Sequence, residues 1–483
     1  MKFNAIILTL SLAAFSSSSQ ATEPHKINLP DMGDSSGTLI SPAQEQELGA
    51  AFFRSVHRQL TINDDAEIDL YIQSMGQRLV AKSDEPANPF HFFVVLDNSI
   101  NAFAGPGGYI GVNSGLLLLT GAESELASVM AHEVAHVTQR HLYRAFEAAS
   151  RLSIPTAAAM LVAILIGTQS PALAQAALVA IQAGSVQFQI NFTRDNEQEA
   201  DRVGMQNLAD ANYDPRSMPT FFEHLQQSSR FYGKGIPEFL RTHPVTVSRV
   251  SDTRGRAEQY PYKQYPDSAA YLLTRAKLRV LTSEDSDNVL KYFKARETLG
   301  TKQQRAIARY GTGLAHLKKQ QFNQAETIFR ELQQQYPNQF QYSNAQAKTA
   351  LESKQYNQAL AFYKKALQRF PNNQAIKIDY ISGLLKAGHP KTAKKTLQSL
   401  DERFRKRPLY FELLAQSYAD LRQMAESHRY VAEYYYAVGD TKTAILQTRL
   451  AYKALPMDFY LKAILDERLR FFEDEERLRK ENE

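Results

Sequence analysis

His132-Glu133-Val134-Ala135-His136 is the stretch on which the reading of this chain turns. Upstream, Thr120 and Glu123 have the spacing of a capping box, Thr at the N-cap and Glu three residues on. Beyond them Leu126, Val129, Met130, Val134 and Val137 recur at helical spacing, which predicts a helix that begins at Thr120. Residues four apart share one face of a helix. His132 and His136 therefore aim two imidazoles at one point. Glu133, about 100° round from His132, stands near enough to hold a water there. Two imidazoles that bind a cation and one carboxylate that takes a proton are the side chains of a zinc peptidase.

A catalytic zinc takes three protein ligands and keeps a position open for water. Two places could supply the third. His141 follows His136 by about 500° of helix rotation, which puts it off the shared face and reads as a solvated or packing histidine. The other place is Asn196-Glu197-Gln198-Glu199-Ala200-Asp201. Glu197 and Asp201 are four apart, so both carboxylates share a face. Glu197 can bind the metal, and Asp201 can accept a ring N–H from a ligand histidine and fix its tautomer. Alone, this run is an ordinary charged helix; the HExxH upstream changes its meaning.

His132–His136 together with Glu197–Asp201 resembles the HtpX/CAAX-prenyl-protease family of gluzincin metallopeptidases. The resemblance covers roughly residues 45–255. Asn101-Ala102-Phe103-Ala104 with Gly107–Ile110 resembles that family's strand beside the active site. Arg241-Thr242-His243-Pro244 with Arg249 resembles its THP…R segment. The family match implies one Zn2+ per chain, held by His132, His136 and Glu197, and peptide hydrolysis with Glu133 as general base. The developing oxyanion needs a stabiliser beside the zinc, for which His243 and Arg249 are candidates. Pro244 disfavours helix at His243 and puts it on a loop or turn. Three roles stay open for His243: packing, oxyanion donation, or a fourth zinc ligand that closes the site.

Around this centre, residues 1–21 read as a secretory signal, with Lys2, an apolar run from Ala5 to Phe15, and small residues Ser19 and Ala21 before the cleavage point. The chain has no cysteine, so it makes no disulfides, and packing and the metal must stabilise it. Residues 22–41 read as a mobile lead-in. Helices are expected at Pro42–Gln59 and Asp65–Ala81, and strands at His91–Leu96 and Gly108–Val112. The Gly105–Gly108 turn between the strands lacks the Lys-Ser/Thr ending of a phosphate loop. An edge strand here can pair with an extended substrate through main-chain hydrogen bonds. Ala157–Gly167 and Ala172–Ile181 flank Pro171 and are each too short to span a bilayer. They read as a helical hairpin packed near the site, with a hairpin that makes peripheral membrane contact or covers the cleft as the alternative.

Residues 1–266 carry a net charge of −7 and residues 267–483 a net charge of +12. The basic half suits anionic partners or lipid, and equally a solvated lysine-rich surface. No nucleic-acid motif accompanies it. Phe322, Ala325, Phe329 and Pro337 recur 34 residues on as Tyr356, Ala359, Tyr363 and Pro371, the tetratricopeptide period. Gly388 and Ala393 begin a weaker third copy. Gly439, Ala444, Ala451 and Pro456 make a fourth. Ala393 and Ala444 are 51 residues apart, so an irregular helix pair is expected around Leu409–Ala437. Helices at Ser268–Thr282 and Asp287–Glu297 should extend the stack, and Leu461–Asn482 should cap it.

The expected fold is mainly α: a gluzincin-type metallopeptidase domain with a small β-sheet over 22–266, then an α-helical tetratricopeptide solenoid over 267–483. Such a solenoid offers a concave surface for protein segments. The whole arrangement resembles periplasmic proteases that serve outer-membrane β-barrel assembly. That resemblance implies unfolded or misassembled outer-membrane proteins as clients and the β-barrel assembly machinery as a partner. The rival class is a chaperone or scaffold with vestigial catalysis, against which the intact HExxH and ExxxD argue.

Overall fold

A computed structural model describes residues 41–142, 154–166, 194–231, 237–454 and 458–480. The expected signal segment, nearly all of the lead-in and the apolar stretch 172–181 lie outside the described residues.

The N-terminal domain begins with α1 (Pro42–Gln59), where Ser41 and Gln44 form a capping box, and α2 (Ala66–Val80), capped by Asp65. Three strands follow: β1 (His91–Val95), β2 (Ala102–Ala104) and β3 (Tyr109–Asn113). Their order is β1-β3-β2, with β3 parallel to β1 and antiparallel to β2. The turn into β3 needs left-handed backbone, φ 66° at Gly107 and 74° at Gly108, and a Cβ on Gly108 would meet the Pro89 carbonyl oxygen at 2.2 Å.

After β3 come α3 (Ser114–Leu119) and α4 (Glu123–Thr138). The capping box expected at Thr120 is absent: Ala122 is the N-cap of α4 and makes no side-chain cap. Thr120 instead ends α3, donating to the Leu117 carbonyl and meeting the Tyr271 hydroxyl at 2.9 Å. Glu123 accepts from the Ser268 N–H and hydroxyl and from Tyr71. A short preceding helix and a tertiary partner thus claim both residues that the local pattern had paired.

The domain is completed by α5 (Ile154–Ile166), α6 (Arg194–Asp210), α7 (Ser217–Phe231), α8 (Glu238–Thr242) and α9 (Val247–Ala257). On α5, Leu161, Val162 and Leu165 pack with Phe52, Val56 and Phe103. No described helix is long and apolar enough to cross a membrane. Helix α6 lies hard against α4, since a Cβ on Gly204 would stand 3.1 Å from the backbone of Ala131 and His132. That closeness is what brings α6 carboxylates to α4 imidazoles.

The second half is a helical stack. After α10 (Ala269–Thr282) and α11 (Ser286–Lys294) come the pairs α12 (Lys302–Lys318) with α13 (Phe322–Gln335), α14 (Phe340–Glu352) with α15 (Tyr356–Arg369), and α16 (Gln374–Lys386) with α17 (Pro390–Leu397). A single turn, α18 (Glu402–Arg405), precedes α19 (Pro408–Asp420) with α20 (Met424–Ala437), then α21 (Thr441–Lys453) with α22 (Phe459–Lys480). Ala325, Phe329, Ala359 and Tyr363 are fully buried, as the repeat requires.

The expected irregularity before Ala437 is not there. Gln320, Lys354, Gly388 and Arg422 all have positive φ, each just past the first helix of a pair, and they are spaced by 34 residues without a break. Only one of the four is glycine, so the register is invisible to a search for turn residues. In the fourth pair Ser427 replaces the small alanine, its hydroxyl donating to the Ala415 carbonyl. Ala444 lies half a repeat further on, on α21, which is why its spacing misled.

Helix α10, just past the boundary expected at 266, packs into both halves. Tyr271 and Leu278 of α10 join the N-terminal core, while Leu273, Ala276 and Val280 of the same helix join the repeat core. The buried carboxylate of Glu67 on α2 accepts from Lys277 at 2.8 Å, Asn344 at 2.7 Å and Tyr310 at 3.5 Å. Lys277 also meets Asp65 at 2.7 Å, and Arg407 pairs with Asp69. Tyr310 and Asn344 are equivalent positions of successive repeats, so the array grips α2 with its own periodicity.

Removing one partner of a buried ion pair leaves an uncompensated charge. Lys277→Ala is therefore expected to cost about 3–5 kcal/mol in urea unfolding, and Lys277→Met with Glu67→Leu is expected to recover much of that loss. A single variant as stable as the parent would contradict this.

Candidate metal centre

Four buried side chains converge from three elements. On α4, the Nε2 atoms of His132 and His136 lie 3.0 Å apart. From α6, Glu197 brings its carboxylate to 3.5 Å from His132 and 3.4 Å from His136. From the end of α8, His243 places Nδ1 2.9 Å from Glu197 and 3.4 Å from His132. One ligand atom from each of the four lies within 4.8 Å of all the others. His243 is the C-cap of α8, its N–H donating to the Phe239 carbonyl at 2.8 Å, so Pro244 ends the helix where the sequence reading placed a turn.

Glu133 lies beside this cluster, its Oε1 3.6 Å from His243 Nε2. That oxygen is buried and has no hydrogen-bond partner. The main-chain N–H of Ala104, at the end of β2, lies against the same carboxylate. Behind the cluster, Asp201 brings Oδ1 to 3.0 Å from His132 Nδ1. Arg249 grips Asp201 through Nε and Nη2, both at 2.7 Å. Its Nη1 reaches Glu197 at 2.6 Å and the Pro244 carbonyl at 2.9 Å. All three nitrogens of Arg249 are thus engaged, and its guanidinium faces the carboxylates rather than Glu133.

His141 departs from the sequence reading. Arg140, at φ 54°, closes α4 in a left-handed turn in which the His141 N–H returns to the His136 carbonyl at 3.0 Å. The chain therefore leaves helical rotation before His141. Its Nδ1 comes to 2.9 Å from His136 Nδ1, and its Nε2 to 3.3 Å from Glu199. It is a buried hydrogen-bond partner of a core histidine, not a solvated or merely packing one. No Gly or Asn marks the turn, so the sequence carried little signal for it.

The electrostatics follow from burial and crowding. Burial opposes charge on His132, but the hydrogen bonds to Asp201 and Glu197 outweigh it and carry its pKa to about 9. Burial holds His136 well below the usual histidine range, against the pull of Glu197. Burial raises Glu133, partly offset by His243 and His132. Burial would raise Glu197 too, but His243 and the other imidazoles hold it well below the carboxylate range.

Three imidazoles and a carboxylate, all buried and all converging, are nitrogen and oxygen ligands suited to zinc. The Glu133 oxygen beside them accepts no hydrogen bond. The residues present fit the metal.

Fold and site together define a metallopeptidase joined to a tetratricopeptide array. Peptidase family M48 matches residues 67–257 and a tetratricopeptide repeat matches 350–417. A Vibrio cholerae relative is 40% identical over 66% of each chain. The beta-barrel assembly-enhancing protease of Escherichia coli (strain K12) is 32% identical over 86% of this chain and 85% of its own, and that of Yersinia pestis is 36% identical over 69% and 68%. The chain belongs to the family of beta-barrel assembly-enhancing proteases, as an M48 metallopeptidase with a repeat domain.

The site separates the two glutamates of the ExEAD run. Glu197→Gln is expected to lower metal content, measured by plasma emission on purified protein, while Glu199→Gln, behind His141, leaves it unchanged. Asp201→Asn should weaken metal affinity about 10- to 100-fold. Equal metal content in all three variants would remove Glu197 from the site.

Proposed function

We propose that this protein is an exported zinc endopeptidase that hydrolyses unfolded or misassembled proteins in the periplasm, outer-membrane β-barrel proteins foremost. The observation that carries the reading is the buried His132–His136–Glu197 cluster with a buried Glu133 oxygen beside it that accepts no hydrogen bond. His132, His136 and Glu197 would hold the metal. When bound, zinc supplies a Lewis acid for the scissile carbonyl and acidifies water at the site.

The chain's own residues do the rest. Glu133 takes a proton from the attacking water and passes it to the leaving amine. Burial raises its pKa, which brings a carboxylate closer to the pH at which a general base works best. Asp201 orients His132 through Nδ1. Arg249 is a positioning residue: it neutralises Asp201 and Glu197 and ties them to the Pro244 turn. The edge strand β2, whose last N–H lies against Glu133, offers main-chain groups to an extended substrate.

His243 is read as a fourth ligand that keeps the enzyme latent. Its Nδ1 lies inside the donor cluster, and a fourth protein ligand turns an open site into a closed one. Movement of the Pro244 turn would then open it. The repeats would dock clients or the β-barrel assembly machinery, in line with the names of the relatives, and a chaperone-like role of the repeats accompanies proteolysis in this reading. Residues 1–21 would direct export.

Glu133→Gln should keep metal and fold but slow hydrolysis of an unfolded protein by about 10²–10⁴-fold, measured as released fragments. Undiminished turnover would overturn the mechanism. His243→Ala should raise basal proteolysis; a clear fall would make His243 an oxyanion donor instead.

A further inference from the structure

Away from the metal centre, three arginines meet without an acid. Arg275 and Arg279 stand four apart on α10, and Arg296 follows α11; together they line a cleft of about 350 Å³. Arg279 and Arg296 both lie on the Tyr292 ring, 4.6 and 3.6 Å from its centroid. Arg275 donates to the Leu118 carbonyl at 3.2 Å, while its Nε is buried with no hydrogen-bond partner. Among the described residues none of the three makes an ion pair with a carboxylate. Burial first, then repulsion from Arg275 and Arg296, holds Arg279 below the usual guanidinium range, despite the pull of Tyr292.

Elsewhere the chain pairs its part-buried guanidiniums: Arg54 with Glu475 at 3.2 Å, Arg249 with Asp201 at 2.7 Å, Arg468 with Glu433 at 2.7 Å. Three guanidiniums around one cleft, none paired with a carboxylate among the described residues, therefore give it a concentrated positive charge that suits an anionic ligand. Apart from Tyr292 and Gln304 the rest of the lining is apolar, chiefly Leu272, Phe293, Leu299 and Ile307.

We propose that this cleft binds the free C-terminal carboxylate of a polypeptide whose last residue is apolar or aromatic. The planar fork of an arginine matches a carboxylate in two parallel hydrogen bonds. The apolar lining takes the adjoining side chain, which a bare phosphate lacks. Capture of a chain's terminal carboxylate is an established mode of peptide recognition, and arginine clusters are an established way to bind anionic peptide groups. The choice of a polypeptide ligand rests on the peptidase reading above. The site would let the enzyme hold a client by its terminus, apart from the bond being cut.

The test is fluorescence polarisation with the full chain and a labelled hexapeptide ending in Phe, beside the same peptide amidated at its C-terminus. Amidation and Arg279→Ala should each weaken binding about tenfold or more, the loss of one charge-assisted pair. Arg330→Ala, which is paired with Glu326 on α13, should change nothing. If Arg279→Ala melts at a lower temperature than the parent, the exposed Arg296→Ala carries the same comparison. Equal binding of the amidated peptide overturns the proposal. So does Arg279-dependent binding of inorganic phosphate or phosphatidylglycerol vesicles with no binding of the free-carboxylate peptide. Binding is read without hydrolysis, so an inactive enzyme and an empty cleft give distinguishable results.

Discussion

One guanidinium keeps the metal centre in order. Glu197 and Asp201 are two buried carboxylates on one face of α6, and like charges so placed would repel each other and escape to water. Arg249 neutralises both, at 2.6 and 2.7 Å, and adds a bond to the Pro244 carbonyl. Three parts of the site then depend on it: the carboxylate that meets the imidazoles, the carboxylate that lies 3.0 Å from His132 Nδ1, and the turn that presents His243. A buried pair of this kind is a poor source of stability by itself, but breaking it is costly. Its value here is geometric.

The second organising constraint is the grip of the repeats on α2. Asp65, Glu67 and Asp69 would be unstable in a dry interface without Lys277, Asn344 and Arg407. The acidic bias of the first half and the basic bias of the second, seen in the sequence as a charge split, thus have at least one local purpose. Part of the opposite charge is spent on joining the halves.

Much of the architecture was legible because it rests on strict periods. His132 with His136, and Glu197 with Asp201, are fixed by the helical repeat, and Phe322 with Tyr356 by the repeat of 34 residues. What stayed hidden depends on backbone turns at residues that do not advertise them. Arg140 turns left-handed and swings His141 back onto His136; Lys354 and Arg422 do the same in the array. The place of Arg249 was hidden for another reason. Its partner Asp201 is 48 residues away in sequence and Glu197 lies further still, and nothing local distinguishes a guanidinium that faces carboxylates from one that faces substrate.

Helix α10 has consequences for motion. One of its faces carries Tyr271 and Leu278 into the N-terminal core, and another carries Leu273 and Val280 into the repeats. Large domain rotations in multidomain enzymes need a connecting segment that can change its backbone angles freely. A helix committed to two cores offers no such joint. Any opening of the cleft beside the His132–His136–Glu197 cluster would then fall to short turns such as the one at His243 and Pro244, a movement on the scale of one turn of chain rather than of a whole domain.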